Sequence, residues 1–290
     1  MTEKSQLITE HYPNQDFFYA STFTISTGKL HLDMLEHPFF SLQSRGKDMS
    51  TFEYTSNDGS FSLKIVPSVK GRATMSDADL VAFIQAKLVK MKEDGELVTD
   101  EPVLAIEVTE FLEFTNRTKG GENYKSFKDM LVRLSGTFVE ITRVDETGAR
   151  LEEQRASVIK GEFTTVRSKD GDKPLSFIVQ VNKWFVKPIL ESNRYLTIPR
   201  EYFRLKKDTH KRYWHIARMH AGGYFEISWE KFKNKVVGET NGTLTKFRSK
   251  IRKEMKDNGG VITVLDYVLK ESEDKRKVII SKASVIEHKR

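Results

Sequence analysis

The stretch TLTKFRSKIRKEM, residues 243–255, is where the sequence most plainly offers chemistry. Five of its nine non-apolar positions are basic. Leu244, Phe247, Ile251 and Met255 recur at helical spacing, which predicts a helix with one apolar stripe. Thr245, Lys246, Ser249, Lys253 and Lys256 then point away from that stripe, with Lys250 and Arg252 on its flanks and Arg248 nearest to it. Such a face suits a polyanion. Lys246, Lys250, Lys253 and Lys256 are assigned to phosphates, because lysine acts as a flexible point charge. Arg248 and Arg252 are assigned to guanine, whose O6 and N7 match the planar guanidinium fork. Arg248 is equally suited to a salt bridge at the core edge. Thr245 and Ser249 can reach base edges or phosphate.

A weaker copy of this pattern occurs earlier. YKSFKDMLVRL, residues 124–134, sets Tyr124, Phe127, Leu131 and Leu134 on one side and Lys125, Ser126, Lys128 and Arg133 elsewhere. Asp129 interrupts its open face, so backbone or partner-subunit contacts compete there with base contacts. Arg143 and Arg150 flank a turn after this helix. Lys270, Lys275, Arg276 and Lys277 flank one after the other, with Glu271, Glu273 and Asp274 among them. The competing reading of every one of these clusters is a solvated, charged face.

Other chemistries find little support. His210, His215 and His220 are spaced by five, which does not place two on one helix face, and HExxH is absent. GGENYKS, residues 120–126, resembles a phosphate loop only superficially, since Tyr124 stands where glycine must precede the lysine. His31-Leu32-Asp33 lacks the second histidine of DNA-nicking initiators, and no nucleophile, base and orienting acid can be placed together. The expectation is a binding protein rather than an enzyme, with no metal and no cofactor.

Composition agrees with a soluble polyanion binder. The 290 residues are 38% hydrophobic and 31% charged, with a formal net charge of +7. That excess favours a nucleic-acid partner without specifying a fold. No cysteine is present, which excludes disulfides and thiolate chemistry. Neither a secretory signal nor a run long enough to span a membrane occurs, so the expected home is the cytoplasm.

The elements that must position these residues form a repeating order. After a loosely ordered lead-in comes a predicted hairpin around Asn57-Asp58-Gly59. An amphipathic helix follows, started by Ser76-Asp77-Ala78-Asp79, then a strand and a helix capped by Thr109. Next come a helix capped by Asn123, a ribbon over residues 137–166, and another strand, SFIVQVN. Pro188 is expected to sit in an irregular connection. The order then recurs: a helix closed by Gly222-Gly223, a strand leading into a helix capped by Ser228, the basic helix, and a ribbon. Asn123, Tyr124, Phe127 and Leu131 align with Thr243, Leu244, Phe247 and Ile251 at one offset, and Glu107-Val108-Thr109 aligns with Glu226-Ile227-Ser228. The prediction is an α+β protein of two winged-helix units, helix-turn-helix variants, in tandem. Their expected bounds are 1–35 for the lead-in, 36–182 for the first unit with its hairpin, and 183–290 for the second.

Five blocks also carry a family likeness: MLEHPFFSL (34–42), GRATMSDADL (71–80), NYKSFKDMLVRL (123–134), LTIPREYF (196–203) and YWHIARMHAG (213–222). Together they resemble the plasmid replication initiators of the initiator protein A group. The resemblance implies a protein that binds repeated sites on double-stranded DNA at an origin and helps open the duplex. It further implies recruitment of host factors such as the helicase and the chromosomal initiator, and, by analogy, a homodimer through the first unit. Two alternatives remain at this point: a repressor of the same build without an initiation role, and a structural or RNA-associated basic protein.

Overall fold

The computed structural model describes residues 25–43, 47–56, 58–145, 147–167, 174–191, 195–220, 223–238 and 242–284. Residues 1–24 of the expected lead-in, the turn residues Asn57 and Glu146, and Gly222 of the expected helix stop lie outside these. Strand β1 (Gly28–His31) runs straight into helix α1 (Leu32–Glu36). β1 pairs antiparallel with β9 (Tyr195–Ile198), so residues 28–36 are an ordered part of the fold rather than a loose lead-in.

At the centre stands helix α2 (Met75–Glu93), expected to be amphipathic but buried on nearly every face. It packs against β1 and against α3 (Val108–Phe114), α4 (Gly121–Gly136), α5 (Lys183–Glu191) and α6 (Asp208–His220). A helix enclosed by neighbours has no polar face to show. Its buried charged residues are paired. Asp79 accepts from Lys211 Nζ on α6 at 2.7 and 2.8 Å and from Arg117 at 2.7 Å, while Lys87 bonds Glu110 at 2.8 Å. Buried charges are tolerated only when matched in this way. The helix starts two residues earlier than predicted: Thr74 is the cap, and its amide donates to Asp77 Oδ2 at 2.6 Å.

From α2 onward the first half runs α2, β4 (Val103–Glu107), α3, α4, then β5 (Phe138–Val144), β6 (Arg150–Ser157), β7 (Ile159–Arg167) and β8 (Pro174–Val181). The second half runs α6, β10 (Tyr224–Ser228), α7 (Trp229–Val237), α8 (Leu244–Asp257), β11 (Val261–Val264), β12 (Tyr267–Glu271) and β13 (Lys277–Lys282). The sheets are ordered β4-β8-β7 and β10-β13-β12-β11. In both, the strand after the first helix pairs with the last strand of the unit.

The first ribbon corrects the sequence reading. β5 and β6 do pair, but they join the early hairpin of β2 (Phe52–Thr55) and β3 (Phe61–Val66) in a separate sheet, β2-β3-β5-β6. Leu63 faces Ile141 and Ile65 faces Val139 across it, putting their apolar side chains on one surface. The hairpin paired with β4 is β7–β8, so β5–β6 is an insertion. Two caps also differ. Asn123 lies inside α4, which starts after Gly120, and α3 starts after Glu107 rather than at Thr109. Pro188 sits within α5, not in a connection; Phe185, Val186 and Ile189 are buried, and Lys92 Nζ caps the carbonyls of Ile189 and Leu190 at 2.6 and 3.0 Å.

The halves share one core. Arg212, on α6, is fully buried and donates to the carbonyls of Leu35 (2.6 Å), Glu36 (3.0 Å) and Lys235 (2.5 Å). These carbonyls end α1 and α7, where the helix dipole favours a cation. Burial nonetheless depresses the guanidinium pKa to about 9.

Candidate nucleic-acid interface

Helix α8 begins where expected. Thr243 caps it, accepting from the Lys246 amide at 3.3 Å, and Gly259 and Gly260 follow it at φ of 70° and 91°. Ile251 and Met255 are buried, and Phe247 packs edge-on against Phe232 of α7 with ring centroids 5.8 Å apart. Leu244 departs from the predicted stripe: at the first turn it is 37% exposed. The opposite surface carries Thr245, Lys246, Ser249, Lys250, Lys253 and Lys256, all exposed. Among the described residues none of those four lysines has an ion-pair partner, unlike the helix's two arginines.

Two carboxylates hold the helix by its flanks. On one side Glu254 of α8 bonds Lys207 Nζ at 2.5 Å and His210 Nε2 at 2.9 Å, tying α8 to the start of α6. On the other side Glu271, the last residue of β12, accepts from Arg252 Nε at 3.0 Å and from its terminal nitrogen at 2.6 Å. Glu271 also accepts from Arg248 at 3.3 Å and from the Trp229 indole at 3.1 Å. Burial would raise the Glu271 carboxyl, but the bonds and charge of Arg252, then of Arg248 and Trp229, hold it below the ordinary glutamate value. Glu254 is likewise lowered against its burial, by Lys207 and His210.

Both arginines are paired with Glu271, and Arg248 also donates to the Lys275 carbonyl in the β12–β13 turn. Arg248 lies over the Trp229 ring at 5.4 Å, the core-edge arrangement that its position beside the stripe allowed. Sequence reasoning left Glu271 in a mixed-charge turn and placed no role on Glu254, Lys207 or His210. The only signal available was the location of Glu271 at a strand end, which does not reveal the helix it reaches.

In the first half, Lys125 and Lys128 are exposed on α4 and Ser126 is half-buried. Arg133 grips the fully buried Asp77 through two bonds of 2.7 and 2.8 Å. Asp129 pairs with Lys70 at 3.3 Å. α4 carries three basic and two acidic residues against six and two on α8, so the free charge lies mainly on α8. The turn arginines are also neutralised, Arg143 by Glu152 at 3.1 Å and Arg150 by Glu153 at 2.5 Å. Around the second turn Lys277 bonds Glu226 at 2.9 Å, while Lys270, Lys275 and Arg276 are exposed.

The histidines do not converge. His215 is buried with Nε2 2.8 Å from the Tyr202 hydroxyl, His210 serves Glu254, and His220 packs on Phe225. Burial, then the charges of Arg212 and Lys211, drives the His215 pKa well below the usual value. Among the described residues no group of three potential ligands could hold a metal ion, and no helix is long and apolar enough to cross a membrane.

A relative from Wigglesworthia glossinidia brevipalpis, named "Putative replication protein", is 25% identical over 261 residues, covering 89% of this chain and 91% of that one. Crystal structures of domains 2 and 3 of RctB superpose with TM-scores of 0.61 and 0.55 at 15% and 16% identity. Each covers 87% of this chain and almost all of the RctB fragment (98% and 97%), which establishes a shared fold. The family model for replication initiator protein A matches residues 29–259. The chain therefore belongs to the replication initiator protein A family.

Proposed function

We propose that the chain is a plasmid replication initiator that binds repeated double-stranded sites at its origin, promotes duplex opening and recruits host replication factors. The observation that carries this reading is the exposed sector of α8: four lysines without an ion-pair partner among the described residues and two hydroxyl residues, held outward by a carboxylate clamp on each flank. A helix with its side chains matches the width of a major groove, about 12 Å. We take both halves as winged-helix units, on the strength of their common strand order. The second, residues 183–290, then makes the principal DNA contact through Lys246, Lys250, Lys253 and Lys256. The first, residues 36–182, adds backbone contacts from Lys125 and Lys128 and a surface for a second copy. In this reading the protein works in the cytoplasm and acts by binding, without a chemical step or cofactor.

The test is replication itself. The gene with its flanking DNA is placed on a fragment lacking any other origin and introduced into a bacterial host. Stable transformants are expected with the wild-type chain, and none when the four α8 lysines are alanine. No transformants with the wild-type chain, despite soluble expression and DNA binding, would favour a repressor.

A further inference from the structure

We infer that Glu271 is a specificity-determining residue: it withholds Arg248 and Arg252 from the DNA backbone and keeps them oriented for base edges alone. This rests on the reading of α8 as the DNA-contacting helix. One carboxylate takes both arginines of α8 and reaches them from the ribbon, a different element. Arg252 spans both carboxylate oxygens through Nε and one terminal nitrogen. Its other terminal nitrogen remains, on a side chain still 40% exposed. Arg248 is fixed at three points, by Glu271, by the Lys275 carbonyl and by the Trp229 ring below it.

One feature argues that this is more than a structural tie. Where α8 meets the ribbon turn, Glu271 is the one acid lining a concavity that also carries Arg252, Lys256 and Lys275, with Met255, Gly259 and Gly260 completing its wall. A surface built only for affinity to phosphate gains nothing from a negative charge there. A surface built to discriminate does, since a fixed acid repels a backbone that offers no compensating contact. Lysines on the open sector supply attachment to any duplex, and the clamped arginines respond only to a matching one.

The inference is tested with Glu271→Gln and Glu271→Asp in the full-length chain. The probe is a duplex enriched by the wild-type chain from a randomised pool, compared with its scrambled counterpart by fluorescence anisotropy across a salt series. In Glu271→Gln the freed arginines take phosphates. Affinity for scrambled DNA should rise, its log–log salt slope should steepen by roughly one to two, and the enriched-to-scrambled ratio should fall roughly tenfold or more. Glu271→Asp keeps the charge but cannot reach both arginines. Its affinity for scrambled DNA should stay near wild type while the ratio still falls. This second variant keeps the test decisive if the glutamine variant folds poorly. An unchanged ratio in either folded variant, or equal loss on both duplexes, would overturn the role given to Glu271 and leave the α8 reading intact. A wild-type chain that enriches no sequence at all would overturn both.

Discussion

Replacing Lys246, Lys250, Lys253 and Lys256 together by alanine should change how DNA binding responds to salt by an amount the structure sets. All four are exposed on one sector and lack an acidic partner among the described residues, whereas Arg248, Arg252 and Lys207 are already neutralised by Glu271 and Glu254. Each phosphate contact contributes roughly 0.9 to the slope of log affinity against log salt. The quadruple variant should therefore lose about 3.6 from that slope. Between about 50 and 200 mM salt, those four contacts account for a roughly 150-fold fall in affinity that the variant would no longer show. Helix packing is untouched, because Phe247, Ile251 and Met255 lie on the other side. Circular dichroism should be unchanged, and anisotropy titrations of one labelled duplex at several salt concentrations give the slope. A variant slope equal to wild type would refute the assignment of these lysines to phosphates.

Four further outcomes are expected. Lys253→Ala alone should lower the slope by about one and weaken binding uniformly across duplex sequences. Arg252→Ala should cost about 1–3 kcal/mol at one base position and little elsewhere, as read from binding to a panel of single-base variants of an enriched site. Lys211→Ala leaves the buried Asp79 with Arg117 alone; urea unfolding should show a loss of about 3–5 kcal/mol, and a loss under about 1 kcal/mol would contradict the role of this pair in joining the halves. The buried, neutral His215 has a pKa held well below the usual histidine value, so only the unfolded chain takes up its proton as pH falls below about 6.5. Stability should then decline by at most about 1.4 kcal/mol per pH unit below that point, and His215→Gln should flatten the decline.

Much of the second half was legible because its signals are local. A threonine cap, an apolar stripe and a Gly-Gly stop bracket α8, and Ser228 caps α7 by accepting from the Lys231 amide at 3.3 Å. The first half resisted for a reason equally physical. The alternation in β5 and β6 is the same whether they pair with β4 or with β3, and β3 lies far upstream. Burial of α2 on nearly every face was also hidden, since part of what covers it, α6, comes from the other half. The basic residues of the candidate site were found by type and spacing, but their freedom was not. Arg133 meets Asp77 across 56 residues and Arg252 meets Glu271 across 19, and neither partner could be chosen from composition.

The central claim is that the open sector of α8 enters a DNA groove. Because the chain has no cysteine, Ser249→Cys creates a single attachment point in the middle of that sector for a chelated-iron cleavage probe. Bound to an enriched duplex, the labelled protein should cut both strands in a cluster within about one helical turn, about 10 base pairs. Binding of normal strength with no cutting, or cuts scattered evenly along the duplex, would mean that α8 does not face the DNA.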